Sequence, residues 1–125
     1  MKVTREEISN YLSEVKKYVN AGQYQISNRT KNQSLYIEYV FSEERCKEII
    51  LDLEVDDFSD AVQNEHPQHP EEILYIFGKE VSLLPKQGGG EENVALYIKF
   101  NKLTNLYVIV ISFHKQDYPL TYKFK

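Results

Sequence analysis

Two runs near the end of the chain constrain its fold more than any other stretch. Leu96-Tyr97-Ile98-Lys99-Phe100 alternates apolar with polar residues, and after a short polar turn comes Val108-Ile109-Val110-Ile111-Ser112-Phe113-His114-Lys115. A period of two is the signature of extended backbone with one buried face, so the pair reads as a hairpin. Leu96, Ile98 and Phe100 then share one face, and Tyr97 and Lys99 the other. Regular alternation in the second run puts Tyr107, Ile109, Ile111 and Phe113 on one side and Val108, Val110, Ser112 and His114 on the opposite side. A slip of one residue turns every side chain over, so the parity of the turn decides whether Tyr97 and His114 meet. An even turn centred on Thr104-Asn105 or Asn105-Leu106 brings them together.

The chain has 125 residues, which fits a single domain over 1–125 with one core covered by two layers. Thr4-Arg5-Glu6-Glu7 is a capping-box pattern, and Ile8, Tyr11, Leu12, Val15, Tyr18 and Val19 recur at helical spacing up to Asn20-Ala21-Gly22. Ser27 to Asn32 reads as a loop leading into a helix or a strand over Ser34 to Phe41. Ser42-Glu43-Glu44 opens a helix to about Leu53, with Cys46, Ile49, Ile50 and Leu53 inward. A short helix is expected over Asp57 to Gln63. The prolines of His66-Pro67-Gln68-His69-Pro70 break regular structure. Glu72 to Val81 then reads as a buried strand, Lys86 to Asn93 as a flexible turn, and 94–102 as the next strand. N-terminal helices packed on a C-terminal antiparallel sheet define an α+β class.

The net charge of −4 conceals a polarity along the chain. Residues 43–72 carry eleven acids against Arg45 and Lys47, a net of −9; residues 96–125 carry five lysines against Asp117, a net of +4. A basic region beside Tyr97 and His114 suits a phosphate-bearing ligand, whereas overall acidity argues against indiscriminate nucleic-acid binding. No apolar run approaches the roughly 20 residues needed to span a bilayer, and the first residues lack the apolar core of a secretory signal, so a cytoplasmic protein is expected. The single cysteine, Cys46, reads as a buried thiol without a role. The triple glycine 88–90 lacks the Lys-Ser/Thr of a phosphate loop. His66 and His69 stand among Glu65, Glu71 and Glu72, but the prolines deny them the fixed helical spacing of strong metal motifs, and no metal or cofactor is assigned. Ser112 and His114, two apart on one strand, do not make a nucleophile–base pair.

The order of motifs resembles the MqsR family of bacterial toxins, the messenger-RNA-cleaving halves of type II toxin–antitoxin pairs, which have a RelE-like fold. The resemblance rests on Leu12 to Gly22, on Arg29-Thr30-Lys31-Asn32, on Ile50-Leu51-Asp52-Leu53 with Asp57-Phe58, on Tyr75-Ile76-Phe77-Gly78-Lys79, on Leu96 to Phe100, and on Ile111-Ser112-Phe113-His114 running into Asp117-Tyr118-Pro119-Leu120. It implies a metal-independent endoribonuclease in which the 2′-hydroxyl of single-stranded mRNA attacks the neighbouring phosphate. His114 would act as general acid or base, Tyr97 would orient the hydroxyl or stack on a base, and Lys99 and Lys79 would hold the phosphate. Arg29, Lys31 and Lys115 would bind the RNA backbone. It also implies a cognate antitoxin, a small zinc-containing DNA-binding protein, for which the acidic segment Glu43 to Glu72 offers a surface. Asp60 stands where the best-known members have an important lysine, and their glutamine falls near Ile76. These departures, with the acidic balance, define the alternative: a non-catalytic binding module on a toxin-like scaffold.

Overall fold

The computed structural model describes residues 2–103 and 107–125. Helix α1 (Arg5–Asn20) starts where the Thr4 hydroxyl accepts the Glu7 N–H at 3.1 Å, and it ends at Gly22, whose φ of 76° is a conformation costly for any residue with a Cβ. Its apolar stripe, Ile8 to Val19, is wholly buried. Strand β1 (Tyr24–Ile26) leads to α2 (Thr30–Glu38) and α3 (Glu43–Leu51), the latter capped by the Ser42 hydroxyl on the Arg45 N–H. A single 3-10 turn (Val55–Asp57) precedes the strands β2 (Phe58–Gln63), β3 (Ile73–Leu83), β4 (Glu92–Leu103) and β5 (Tyr107–Lys115).

The class is α+β, with three helices and one five-stranded sheet among the described residues, in the order β1-β5-β4-β3-β2. The sheet is mixed rather than purely antiparallel, because the short β1, unforeseen in the sequence, runs parallel to β5. One face carries Phe58, Phe77, Leu96, Ile98, Phe100, Val108, Val110 and Phe113 and packs on the helices in a core that also takes Leu35, Cys46, Ile49 and Ile50. Among the described residues, no helix is long and apolar enough to cross a membrane.

The region expected to be a helix over Asp57 to Gln63 is strand β2. Phe58 and Ala61 are three residues apart and both buried, which in sequence mimics a helical face. In the structure the same spacing arises from a bulge: Phe58 opposes Phe77 but Asp60 opposes Ile76, so the extra residue Ser59 brings both side chains to the core face. The segment from Ser34 to Phe41, open to helix or strand in the sequence, is helical as far as Glu38, and α2 already begins at Thr30.

Residues 116–125 leave β5 and cross the sheet. The Gln116 amide donates to the Leu96 carbonyl at 3.0 Å, the Ser59 hydroxyl donates to the Thr121 carbonyl at 2.7 Å, and Phe124 stacks on Phe58 with ring centres 5.8 Å apart. The segment thus passes over the face opposite the helices, at Gly78, and turns round the β2 edge into the core.

Candidate active site

The sheet face away from the helices forms the floor of a groove of about 1240 Å³. Leu74, Ile76 and Ile111 supply its apolar floor, Tyr97, Lys99 and Asn101 rise from β4, Arg29 stands at one side, and the β2–β3 connection with Glu65, His66, His69 and Glu72 forms the other. Alternation places Tyr97, Lys99 and Asn101 here because Leu96, Ile98 and Phe100 are fully buried on the opposite face.

Tyr97 pairs with His114 across β4 and β5, and their rings stack at 5.2 Å with planes only 12° apart. The His114 Nδ1 lies 2.8 Å from the Lys115 carbonyl. A carbonyl oxygen can only accept, so Nδ1 carries a proton, and the tautomer this selects has its lone pair on Nε2. Burial pushes the Tyr97 phenol up, with Tyr118 adding to the shift. Burial also draws the Lys99 ammonium down, helped by the like charge of Arg29 and opposed by Glu65. The groove is therefore lined by a phenol and two cations close enough to sense each other, and the phenol ring carries the His114 imidazole stacked on it.

That arrangement depends on a bulge that the alternating sequence conceals. Leu103 opposes Tyr107, and a regular hairpin continuing from that pair would set Tyr97 against Phe113. The register instead changes between Lys99, opposite Ser112, and Phe100, opposite Val110, so Ile111 is an extra residue in β5. Val108 and Val110 consequently face the core with Phe113, while Ser112 and His114 face the groove; the expected grouping of Val108, Val110, Ser112 and His114 is corrected by that one residue. Thr104, Asn105 and Leu106, on which the expectation of an even turn centres, lie outside the described residues.

Asn32, on α2 and only 2% exposed, sits at this bulge. Its side-chain amide donates to the carbonyls of Ser27 (2.9 Å) and Ile111 (3.0 Å), and its oxygen accepts from the Phe113 N–H at 2.9 Å. In the sequence Asn32 is one member of a basic, polar stretch. Only burial distinguishes it, and no local pattern announces that.

The remaining expected site residues are distributed differently. Lys79 does not reach the groove: it alternates with Phe77 and opposes Leu96 on the helix side, its ammonium 3.3 Å from Asp57 and 3.7 Å from Asp52. It lines a separate cavity of about 480 Å³ beside Gly78 and residues 116–122. Lys115 also faces the helices, 3.3 Å from Glu38 and over the Tyr39 ring. Lys31 pairs with Asp117, and that ammonium holds the Asp117 carboxyl below the usual carboxylate range. Arg29 alone of the three expected backbone binders lines the groove. Asp60 is engaged by Lys123 at 3.1 Å.

On the outer wall, His69, Glu71 and Glu72 bring potential ligand atoms within 4.8 Å of one another. Glu72 Oε1 already accepts from the side-chain amides of Asn64 and Asn101, both at 3.0 Å, and His69 Nδ1 is 3.8 Å from Glu71. Cys46 is buried, and burial, with Glu43 adding, pushes its thiol up to about 12, which suits an inert core residue. No protein-family model matches the chain, and no curated protein matches it.

Proposed function

We propose that the protein is an endoribonuclease of the MqsR toxin type, with a RelE-like fold, that cleaves single-stranded mRNA in the cytoplasm and is restrained by an antitoxin of the small zinc-containing, DNA-binding kind. The observation that carries this reading is a groove lined by Tyr97, Lys99 and Arg29, with the His114 imidazole stacked on the Tyr97 ring. Cleavage by the substrate's own 2′-hydroxyl needs a base for that hydroxyl, an acid for the departing 5′-oxygen, and cations for the phosphorane. His114 Nε2 takes the hydroxyl proton as the oxygen bonds to phosphorus. The P–O5′ bond breaks, the 5′-oxygen takes a proton from water, which recovers it from the protonated His114, and a 2′,3′-cyclic phosphate results. Lys99 and Arg29 face the phosphate, Arg29 taking the place first given to Lys79. Tyr97 orients the hydroxyl or stacks on a base.

The test is induced expression in a bacterial host with growth and mRNA integrity followed together. Wild type should arrest growth and cleave mRNA; His114→Ala should lower cleavage about 100-fold or more, and Tyr97→Phe should lower it while keeping the stack. Intact mRNA beside abundant folded protein would refute the reading. The second reading, a non-catalytic binding module, is favoured by the exposed Val40 and Leu84, joined by a backbone hydrogen bond of 2.8 Å, and by the exposed Ile37 on the same helix end. It is the reading that intact mRNA would support.

A further inference from the structure

We infer that Asn32 is the positioning residue that sets His114 against Tyr97, by holding the β5 bulge with a side-chain amide that acts as one residue of a missing strand. In a regular strand, successive carbonyls point to opposite edges. Here the adjacent carbonyls of Val110 and Ile111 both meet donors from the β1 side: Val110 accepts from the Ser27 N–H at 2.9 Å, and Ile111 from the Asn32 amide at 3.0 Å. Strand β1 pairs with β5 only from Val108 to Val110. Beyond that point the outer edge of β5 has no strand beside it among the described residues, and it runs along α2. Asn32 gives Ile111 a donor and Phe113 an acceptor, the two bonds a parallel partner residue would make. A third bond, to Ser27, ties the amide to the end of β1.

The consequence reaches the site through parity. With Ile111 held out of register, His114 stacks on Tyr97; with the strand regular and Ile111 still present, Phe113 would oppose Tyr97 and His114 would turn toward the helices. Asn32 makes its side-chain hydrogen bonds to the backbone of Ser27, Ile111 and Phe113, not to either ring. It fixes which face the imidazole occupies. The inference rests on the ribonuclease reading only for its effect on cleavage; the ring contact is a separate observable.

Three proteins test it: Asn32→Ala, Asn32→Asp, and Asn32→Ala with Ile111 deleted. Deleting the extra residue lets Val110 and Phe113 keep the core face and His114 the groove face without any staple. Contacts between the Tyr97 and His114 rings, read by nuclear Overhauser effects, should be lost in both single variants and return in the deletion variant. Mutation of buried Leu35 on the same helix, Leu35→Ala, should lower stability and leave the ring contact in place. Retention of the contact in either Asn32 variant would overturn the inference. Should the single variants not fold, the deletion variant decides: ring contact restored supports the staple, whereas an unfolded chain or an absent contact overturns it. RNA cleavage measured in parallel should fall and recover with the contact. A contact that is lost and recovers in a protein whose wild type leaves RNA intact upholds the staple and removes the ribonuclease reading.

Discussion

At Gly78 a single hydrogen atom takes the place of a side chain because residues 116–122 lie directly on the sheet. A Cβ there would meet the Tyr122 hydroxyl, the Leu120 side chain at 2.8 Å and the Gln116 amide at 2.9 Å. Gly78 also opposes Tyr97, so the crossing segment lies beside the ring on which His114 stacks. Gly78→Ala should destabilise the protein by about 1–3 kcal/mol, the usual cost of overpacking, measured by urea denaturation. The loss should also appear as faster proteolysis within 116–125, since this segment is what must move. Cys46 gives a second expectation at this scale. Its thiol ionises near 9 in an exposed chain and is raised to about 12 when folded. Between those values the unfolded chain has lost a proton that the folded one keeps, so this group's contribution is complete below pH 9 and declines as pH rises toward 12. From pH 9 to 11, wild type should lose about 1.4 kcal/mol per pH unit more than Cys46→Ala. Parallel stability curves for the two proteins would show that the thiol is not shielded.

At the scale of elements, α1, α3 and β4 were legible because each has one uninterrupted period. Thr4 and Ser42 cap as their sequence implies, the stripe from Ile8 to Val19 is buried throughout, and β4 alternates cleanly from Val94 to Phe100. The two misread strands share one cause. In β2 the bulge at Ser59 sets Phe58 and Ala61 on the core face, and in β5 the bulge at Ile111 does the same for Val110 and Phe113. In both, a spacing of three is extended backbone with one residue out of line. A bulge is specified by what satisfies it from outside the strand, here the Thr121 carbonyl on the Ser59 hydroxyl and the Asn32 amide on Ile111 and Phe113, and those partners are 62 to 81 residues away. The same distance hid β1, whose three residues are a strand only because β5 lies beside them. Tyr97 and Lys99 could be grouped from the alternation of β4 alone, but whether His114 joins them is decided by the bulge at Ile111. Lys79 could not be excluded, because its partners Asp52 and Asp57 come from the α3–β2 connection rather than from its own strand.

For the whole molecule, the neighbour order joins the beginning of the chain to its last strand: β1 and Asn32 complete the edge of β5, and the half-buried Phe124 packs on the core against Phe58 while its carbonyl accepts from Arg5 at 3.3 Å. Contacts of such wide sequence separation slow the search for the native state, since the intervening loop must close before they contribute. Refolding should therefore lie in the range of roughly milliseconds to seconds typical of sheet-rich domains, followed by stopped-flow tyrosine fluorescence; microsecond folding would mean that the edge pairing is not part of the barrier. On the ribosome the same topology becomes a matter of timing. The helices and β1 emerge early and wait, and the face bearing Tyr97 receives its imidazole only when β5 has been made and Asn32 has closed on it. A chain in which β5 has not yet been made is thus without a finished groove, and whatever this face does to RNA or to a partner waits for that strand.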